Sequence, residues 1–593
     1  MKELFRIFFV SLRAIYKADS KRVASCIFNT TLEIMQSFVF GVLFFKFFVE
    51  ALFEKLDFAE AVLLICIRLL WQAFYSFYNE WYSNIYTEGS NARIQESLYT
   101  VLFEKTVAMD MKTLDNPAYY DTFRMVLQNS VEAMLSIMNS VFSYIKNIIL
   151  LILNGCLLFT YEPLLFPFII LSVIFSYFLN IIRNKYRIEK NRAINPLFRK
   201  YEYARRIFCW TDYACDIKTT GIYDVLIKMA DQTNGDIEKT EEKHNSKLFK
   251  VAAISNVSSV LLSQIPNILI CSKALILHAF TSSEVAVAIS SMSNVKSTLN
   301  SFVNLYPQIQ EKCAYVRDYI HYLERETEIK ANEEGEIPEI KANEIEIKNV
   351  SFSYDGEKEI LHDINMTING GEKIAIVGRN GVGKTTIVKL LLQLYKPQSG
   401  EIEMDGKSVE SYSLKEYRGR FGVAFQNTHL YSVSAAENVL MKPYEETETE
   451  RERVTEALKK GRLYARIAEE EKGIETTVTK EFDADGLEFS GGQAQKLALS
   501  RVFARDCGII ILDEPSAALD PVSEAEMYES MLELMKEKTV ILISHRLSAC
   551  RKVDRIYVLE DGKIAEEGTH SALLEKGGIY ADMWHLQANG YIN

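Results

Sequence analysis

Two hydropathy regimes divide the chain. Through about residue 310, apolar runs long enough to cross a bilayer alternate with charged, helix-patterned stretches. From Ile345 onward, short apolar runs alternate with turn-forming residues and amphipathic segments. Residues 23–49 (VASCIFNTTLEIMQSFVFGVLFFKFFV) exceed the roughly 20 residues that a hydrocarbon core requires. A short acidic loop with Glu50, Glu54, Asp57 and Glu60 leads to a second run, Phe58 to about Trp81. Residues 82–135 are too charged for lipid. Spans three and four fall near 136–160 and 164–182, joined tightly at Tyr161-Glu162-Pro163. After a second polar helical stretch, 183–248, spans five and six fall near 250–280 and 285–307. The pattern predicts six transmembrane helices and two long polar excursions, which a soluble helical bundle with a greasy core would not produce.

Charge bias orients the spans. Lys2, Arg6, Arg13, Lys17, Lys21 and Arg22 precede span one, and Arg183, Lys185, Arg187, Lys190 and Arg192 follow span four. The loops after spans one, three and five are acidic or neutral. The positive-inside rule then places both termini and both polar excursions in the cytoplasm of a multi-pass plasma-membrane protein. The first 22 residues interleave basic and apolar positions without a small-residue cleavage site, as in an interfacial amphipathic helix rather than a signal peptide. No further domain is expected ahead of span one. Within span six, Ser290, Asn294, Ser297, Ser301 and Asn304 share one helical face. Such a stripe serves either a wet cavity or hydrogen bonds between helices. Glu33, Lys46 and Arg68 are further intramembrane candidates for cargo contact. Residues 321–343, acidic and aperiodic with Gly335 and Pro338, read as a linker between a 1–320 membrane domain and a 344–593 soluble domain.

The second regime predicts an α/β domain. Ile345–Tyr354 and Ile360–Asn369 alternate as strands, and Ile374–Val377 is a short buried strand. It runs into Gly378-Arg379-Asn380-Gly381-Val382-Gly383-Lys384-Thr385-Thr386 and an amphipathic helix, the context of a phosphate-binding loop. The glycines let backbone N–H groups turn toward phosphate oxygens, and the helix adds its positive end. Lys384 would reach the β- and γ-phosphates of a nucleoside triphosphate, and the Thr385 hydroxyl would ligate Mg²⁺. Gly508–Leu512 is a buried strand ending at Asp513, placed to hold Mg²⁺, and Glu514, placed to polarise an attacking water. His545 ends another apolar strand, within reach of a γ-phosphate. Tyr354 is either an adenine-stacking ring or a solvent-edge tyrosine. Ser490-Gly491-Gly492-Gln493 reads as a helix cap presenting a second anion-binding turn. Two phosphate-binding turns for one nucleotide imply that two such domains face each other, each completing the other's site.

Composition narrows the partners. A formal net charge of −12 over 593 residues leaves no basic field for nucleic acid. The nine cysteines are scattered without a CxxC pair, so no metal or disulfide framework is expected and a reducing or intramembrane setting fits.

Taken together, the motifs resemble those of ATP-binding cassette (ABC) exporter half-transporters: a six-span helical domain followed by an α/β P-loop nucleotide-binding domain. The match runs through Tyr354 (A-loop), GRNGVGKT from Gly378 (Walker A), Gln426 in AFQN (Q-loop), FSGGQ through Ser490–Gln493 (signature), IIILDE through Asp513 and Glu514 (Walker B), Asp520 (D-loop) and His545 (H-loop). The resemblance implies a head-to-tail pair of nucleotide domains sandwiching ATP, with Gln426 at the metal and water, and coupling helices near Leu114–Asp121 and Cys209–Thr220. Phe489 replaces the family's usual leucine, and the approach VTKEFDADGLEFSGGQ resembles the branch of lantibiotic and other peptide exporters. Implied partners are a second half-transporter chain, identical or related, membrane lipid, and an exported peptide, lipid or hydrophobic drug. The alternative is one half of an obligate heterodimer whose cargo specificity or regulation is shared with the other chain.

Overall fold

A computed structural model describes residues 2–53, 58–161, 163–210, 213–276, 281–326, 329, 332, 334–514, 531 and 536–590. Of the residues singled out above, Glu54, Asp57, Glu162, Asp520 and part of the linker lie outside this set. The chain divides into two compact units. One comprises Met1–Thr106 and Asp121–Arg325, the other Val107–Tyr120 and Glu326–Asn593.

The first unit is all helix. After the amphipathic helix Lys2–Ala18, Asp19 caps Ser20–Ile34, its Oδ1 accepting from the Lys21 N–H at 3.1 Å. The helix continues through a π-helical stretch, Met35–Leu43, into Phe44–Phe53. Next come Phe58–Trp81, a π-helical Tyr82–Thr87 and Glu88–Val107, so the second span and the polar stretch after it share one rod. The helices Pro117–Tyr161 and Leu165–Cys209 have 45 residues each, and Ile222–Ile276 has 55. At 1.5 Å per residue each is at least about twice the ~30 Å of a hydrocarbon core, so each carries a long stalk beyond its span.

Five described helices are long and apolar enough to cross a membrane, against the six expected. The sixth expected span lies in Ser282–Glu324, 43 residues long, which the serines and asparagines of its polar stripe, with Lys296, make less apolar than the other five. Leu70, Phe77, Ile152, Phe178, Leu261 and Ile268, from four of these apolar helices, point outward and exposed, a belt that water would not tolerate and lipid would.

Polar contacts inside this unit sort the intramembrane candidates. Asn294 Nδ2 donates to Oδ1 of the fully buried Asn154 at 3.4 Å, whereas the Ser301 hydroxyl turns back to Ser297 O and Ser297 is exposed. Among the described side chains, the stripe therefore makes an interhelical bond at Asn294 and leaves Ser297 open. The Asn304 side chain lies outside the described set. Glu33 pairs with Lys146 at 2.6 Å and accepts from Asn29 at 2.7 Å. Lys46 lies 3.7 Å from Glu50 one turn away, and the Arg68 guanidinium sits 5.4 Å from the centre of the Phe44 ring.

The second unit is α/β. Strands β1 (Ile345–Phe352), β2 (Leu361–Ile368), β4 (Ser399–Met404) and β5 (Lys407–Ser408) form an antiparallel sheet in the order β2-β1-β4-β5. A second sheet has the order β10-β9-β3-β8-β7-β6. It is built from β3 (Lys373–Gly378), β6 (Phe421–Ala424), β7 (Ile509–Asp513), β8 (Thr539–Ile543), β9 (Arg555–Glu560) and β10 (Lys563–Gly568). All its pairings are parallel except β9–β10. β7 and β8 are buried along their whole length, as strands covered on both faces must be. Helices Ala435–Leu440, Glu448–Lys460 and Gly491–Ala504 close around a separate core that includes Val439, Val454, Leu458 and Leu497.

Val107–Tyr120 clusters with this second unit, which a boundary drawn linearly at residue 320 does not anticipate. The physical reason is local. Met111 of the short helix Met111–Leu114 packs on the β1–β4 core, Asp115 accepts from the Tyr395 hydroxyl, and Asp110 Oδ1 accepts from the Ile329 N–H.

Candidate nucleotide site

Strand register alone gathers the site. Ile376 of β3 is level with Ile543 of β8, Ile543 with Asp513 of β7, and Leu512 with Ala424 of β6. The residues that follow these strands (the glycine loop, Glu514, Ser544-His545 and Phe425-Gln426) thus leave the sheet at one carboxyl edge, where open parallel sheets bind ligands.

The loop after β3 needs its glycines. Gly381 and Gly383 have φ of +84° and +105°, and a Cβ on Gly383 would stand 2.6 Å from Leu361 Cδ2. Gly383 is the N-cap of the helix Lys384–Leu391, and Val382 packs on the core beneath. Arg379, Asn380 and Gly381 are exposed. The Lys384 ammonium folds back into the loop, donating to Gly378 O at 2.8 Å and Arg379 O at 3.0 Å. Burial pushes its pKa down, opposed by the nearby Glu514 and Asp513. Thr386 meets the Tyr354 hydroxyl at 3.2 Å. The Tyr354 ring stands edge-on to Phe352 and Tyr395, each with its centre 5.0 Å away, and Lys389 Nζ lies 5.1 Å from its centre. It is half-buried in an aromatic cluster, not a bare solvent-edge tyrosine.

Asp513 and Thr385 form the hard-oxygen corner. The Thr385 hydroxyl donates to Asp513 Oδ2 at 3.0 Å, while Asp513 Oδ1 is buried without a hydrogen-bond partner among the described residues. Burial, more than any other cause, raises the Asp513 pKa; the Thr385 hydrogen bond opposes it and Glu514 adds to it. A buried carboxylate oxygen lacking a partner beside a hydroxyl suits Mg²⁺, which takes oxygen ligands and retains several waters.

Glu514 sits at φ +49°, in the left-handed region that non-glycine residues seldom occupy. Its N–H donates to Ile543 O at 3.0 Å, its Oε2 accepts from Gln426 Nε2 at 2.7 Å, and its Oε1 lies 3.1 Å from His545 Nδ1. Both carboxylate oxygens are thereby held by side chains from neighbouring strand ends. Ser490 is exposed and caps Gly491–Ala504 in a reciprocal box with Gln493, the two backbone N–H groups bonding at 3.0 and 3.3 Å. Those bonds stay within the cap, and the N–H groups of Gly491 and Gly492 at the exposed helix start join no described bond to the glycine loop. Asp520 lies outside the described residues.

Two contributors carried no sequence signal. The Ser544 hydroxyl bonds both the N–H and the carbonyl of Arg546, and Gln587 of the last helix reaches the same segment. A lone serine or glutamine offers no motif, and only the fold brings them beside His545.

Residues 361–517 match the family model described as ABC transporter. The chain is 33% identical over 359 residues to the ATP-dependent lipid A-core flippase of Escherichia coli (strain K12), a match covering 59% of this chain and 60% of the relative. It is 37% identical over 257 residues to an uncharacterized ABC transporter ATP-binding protein of Haemophilus influenzae, covering 43% of this chain and 41% of that protein. The match thus spans about 60% or less of the length of these relatives. A solved bacterial Atm1-family ABC exporter with ATP bound superposes with a TM-score of 0.77, covering 96% of this chain and 98% of that one at 21% identity. None of these three is described as a peptide exporter.

Proposed function

We propose, for a chain that carries an ABC transporter ATP-binding domain on the fold of an ABC exporter, that ATP hydrolysis drives export of an amphiphilic cargo across the cytoplasmic membrane. The observation that carries the reading is the convergence of Lys384, Thr385, Asp513, Glu514, Gln426 and His545 at one sheet edge.

In this reading Lys384 exchanges its two loop carbonyls for the β- and γ-phosphates. The N–H groups of Gly378 to Thr386, through Arg379, Asn380, Gly381, Val382 and Gly383, surround those phosphates. Thr385 and Asp513, with Gln426, would hold Mg²⁺, which would offset phosphate charge when bound. Glu514 orients and deprotonates the attacking water, kept in place by Gln426 and by His545, whose imidazole also faces the γ-phosphate. Tyr354 presents its ring to adenine. Ser490–Gln493, exposed and unused by the chain's own glycine loop, serve the ATP of a second chain, with Asp520 at the same seam. Closure of that sandwich is coupled to the spans through the segments near Leu114–Asp121 and Cys209–Thr220 and switches the spans from inward- to outward-facing. The relative described as a lipid A-core flippase favours a lipid among the amphiphilic cargoes.

The direct test is phosphate release by the chain in lipid nanodiscs. Wild type should turn over ATP only with Mg²⁺, and Glu514→Gln should lower kcat by at least about 100-fold, the scale on which a lost general base acts, while still binding ATP. Equal turnover by the two proteins would refute the assignment of Glu514.

A further inference from the structure

Gln587 belongs to the final helix, Ile579–Gly590, far in sequence from every motif above. Tyr580, Met583, Trp584 and Gln587 are spaced i, i+3, i+4, i+7 and share one face. Tyr580 is fully buried, and Met583 and Trp584 pack on the core of the six-stranded sheet. Glu566 fixes the start of this helix by accepting from the N–H groups of Ile579 and Tyr580 at 3.1 and 3.0 Å. Two turns beyond Tyr580, the Gln587 amide straddles the segment after β8. Its Nε2 donates to His545 O, and its Oε1 accepts from the Leu547 N–H at 3.0 Å. Reversing the amide would break both bonds, so the pairing fixes its orientation.

The segment so gripped is the one that carries the His545 imidazole to Glu514. From its other side, the Ser544 hydroxyl takes the N–H and carbonyl of Arg546. His545 is itself nearly half exposed, its side chain retaining 44% accessibility, so side-chain packing does little to hold it. Backbone restraint therefore sets where the imidazole is carried, and the contact with Glu514 orients Nδ1. We propose that Gln587 is a positioning residue for ATP hydrolysis: by clamping the backbone on either side of Arg546, it holds His545 against Glu514. This deepens the ATPase reading above and rests on it. The final helix thus takes part in positioning the hydrolytic groups, beyond closing the fold.

Gln587→Met keeps the volume and the helix packing but removes both hydrogen bonds, and Gln587→Ala removes volume as well. In full-length chain in nanodiscs, Gln587→Met should lower kcat about five- to thirtyfold, the range set by losing one or two net hydrogen bonds of positioning, with the KM for ATP unchanged. In a His545→Ala background the same substitution should change residual turnover less than twofold, because the group it positions is gone. A second readout does not depend on hydrolysis. Acylation of His545 by diethyl pyrocarbonate, followed by mass spectrometry, should accelerate in Gln587→Met while the other seven histidines keep their rates. Equal loss of kcat in both backgrounds, a rise in KM alone, or an unchanged His545 rate would reduce Gln587 to a helix-docking residue. Two-chain wild-type particles that hydrolyse no ATP would instead overturn the reading of a self-sufficient ATPase, and the acylation rates would still decide whether the clamp exists.

Discussion

Asp513 and Glu514 are neighbours in sequence and opposites in environment. Asp513 is fully buried, with one oxygen on Thr385 and the other lacking a partner among the described residues, whereas both Glu514 oxygens are engaged. In the nucleotide-free chain the Asp513 charge is therefore a liability. Its folded pKa lies above the unfolded value of 3.8, so the fold favours the protonated form. Asp513 thus favours the fold most at pH below its unfolded value, and this contribution is lost as pH rises through the folded one. Asp513→Asn should accordingly raise the nucleotide-free melting temperature at pH 7 by on the order of 2–4 °C, about 1 kcal/mol in a domain of this size. The gap should close as pH falls toward 4, and protection by Mg²⁺-ATP should disappear. A lower melting temperature for the variant at neutral pH would mean that the carboxylate is stabilised by something other than a bound cation.

At the scale of elements, the nucleotide-binding half was legible because its elements carry local signals. Ile374–Val377 and Gly508–Leu512 are apolar runs that a parallel sheet buries on both faces, and the glycine loop between strand and helix states its own backbone requirement. Gly383→Ala should weaken ATP binding at least tenfold and lower stability by about 1–2 kcal/mol. It forces a Cβ onto Leu361 at a φ that alanine resists. Unchanged ATP affinity in a nucleotide-binding titration would contradict that account of the loop. The helical half was legible in extent and less so in detail. Runs of apolar residues announce spans, yet nothing local marks the π-helical stretches Met35–Leu43 and Tyr82–Thr87 or the pairing of Glu33 with Lys146. The polar stripe of Ser282–Glu324 was visible in sequence, but its split between an interhelical bond at Asn294 and an exposed Ser297 depends on which helix lies opposite. Gln587 carries no local signal, and only the fold brings it to the segment after β8.

For the whole molecule, the predictions concern orientation and assembly. Cys209 and Cys215 are exposed and lie where the second polar excursion turns, so the inferred topology puts them in the cytoplasm. Retained singly, each should react with a membrane-impermeant maleimide in inverted vesicles and resist it in intact cells. Labelling from outside would reverse the orientation. The central claim is that each ATP site is assembled from two chains, Lys384 of one and Ser490 of the other. Lys384→Ala and Ser490→Arg chains should each be inactive alone, for opposite halves of the same site. The measurement that decides is ATP turnover of the two variants co-reconstituted in nanodiscs, with particle mass recorded. Random pairing of identical scaffolds makes about half the particles mixed, each with one intact site of two, so turnover should recover to about a quarter of wild type. Two-chain particles that remain as inactive as the separate variants would contradict the shared site, and single-chain particles would point to a different, obligatory second chain.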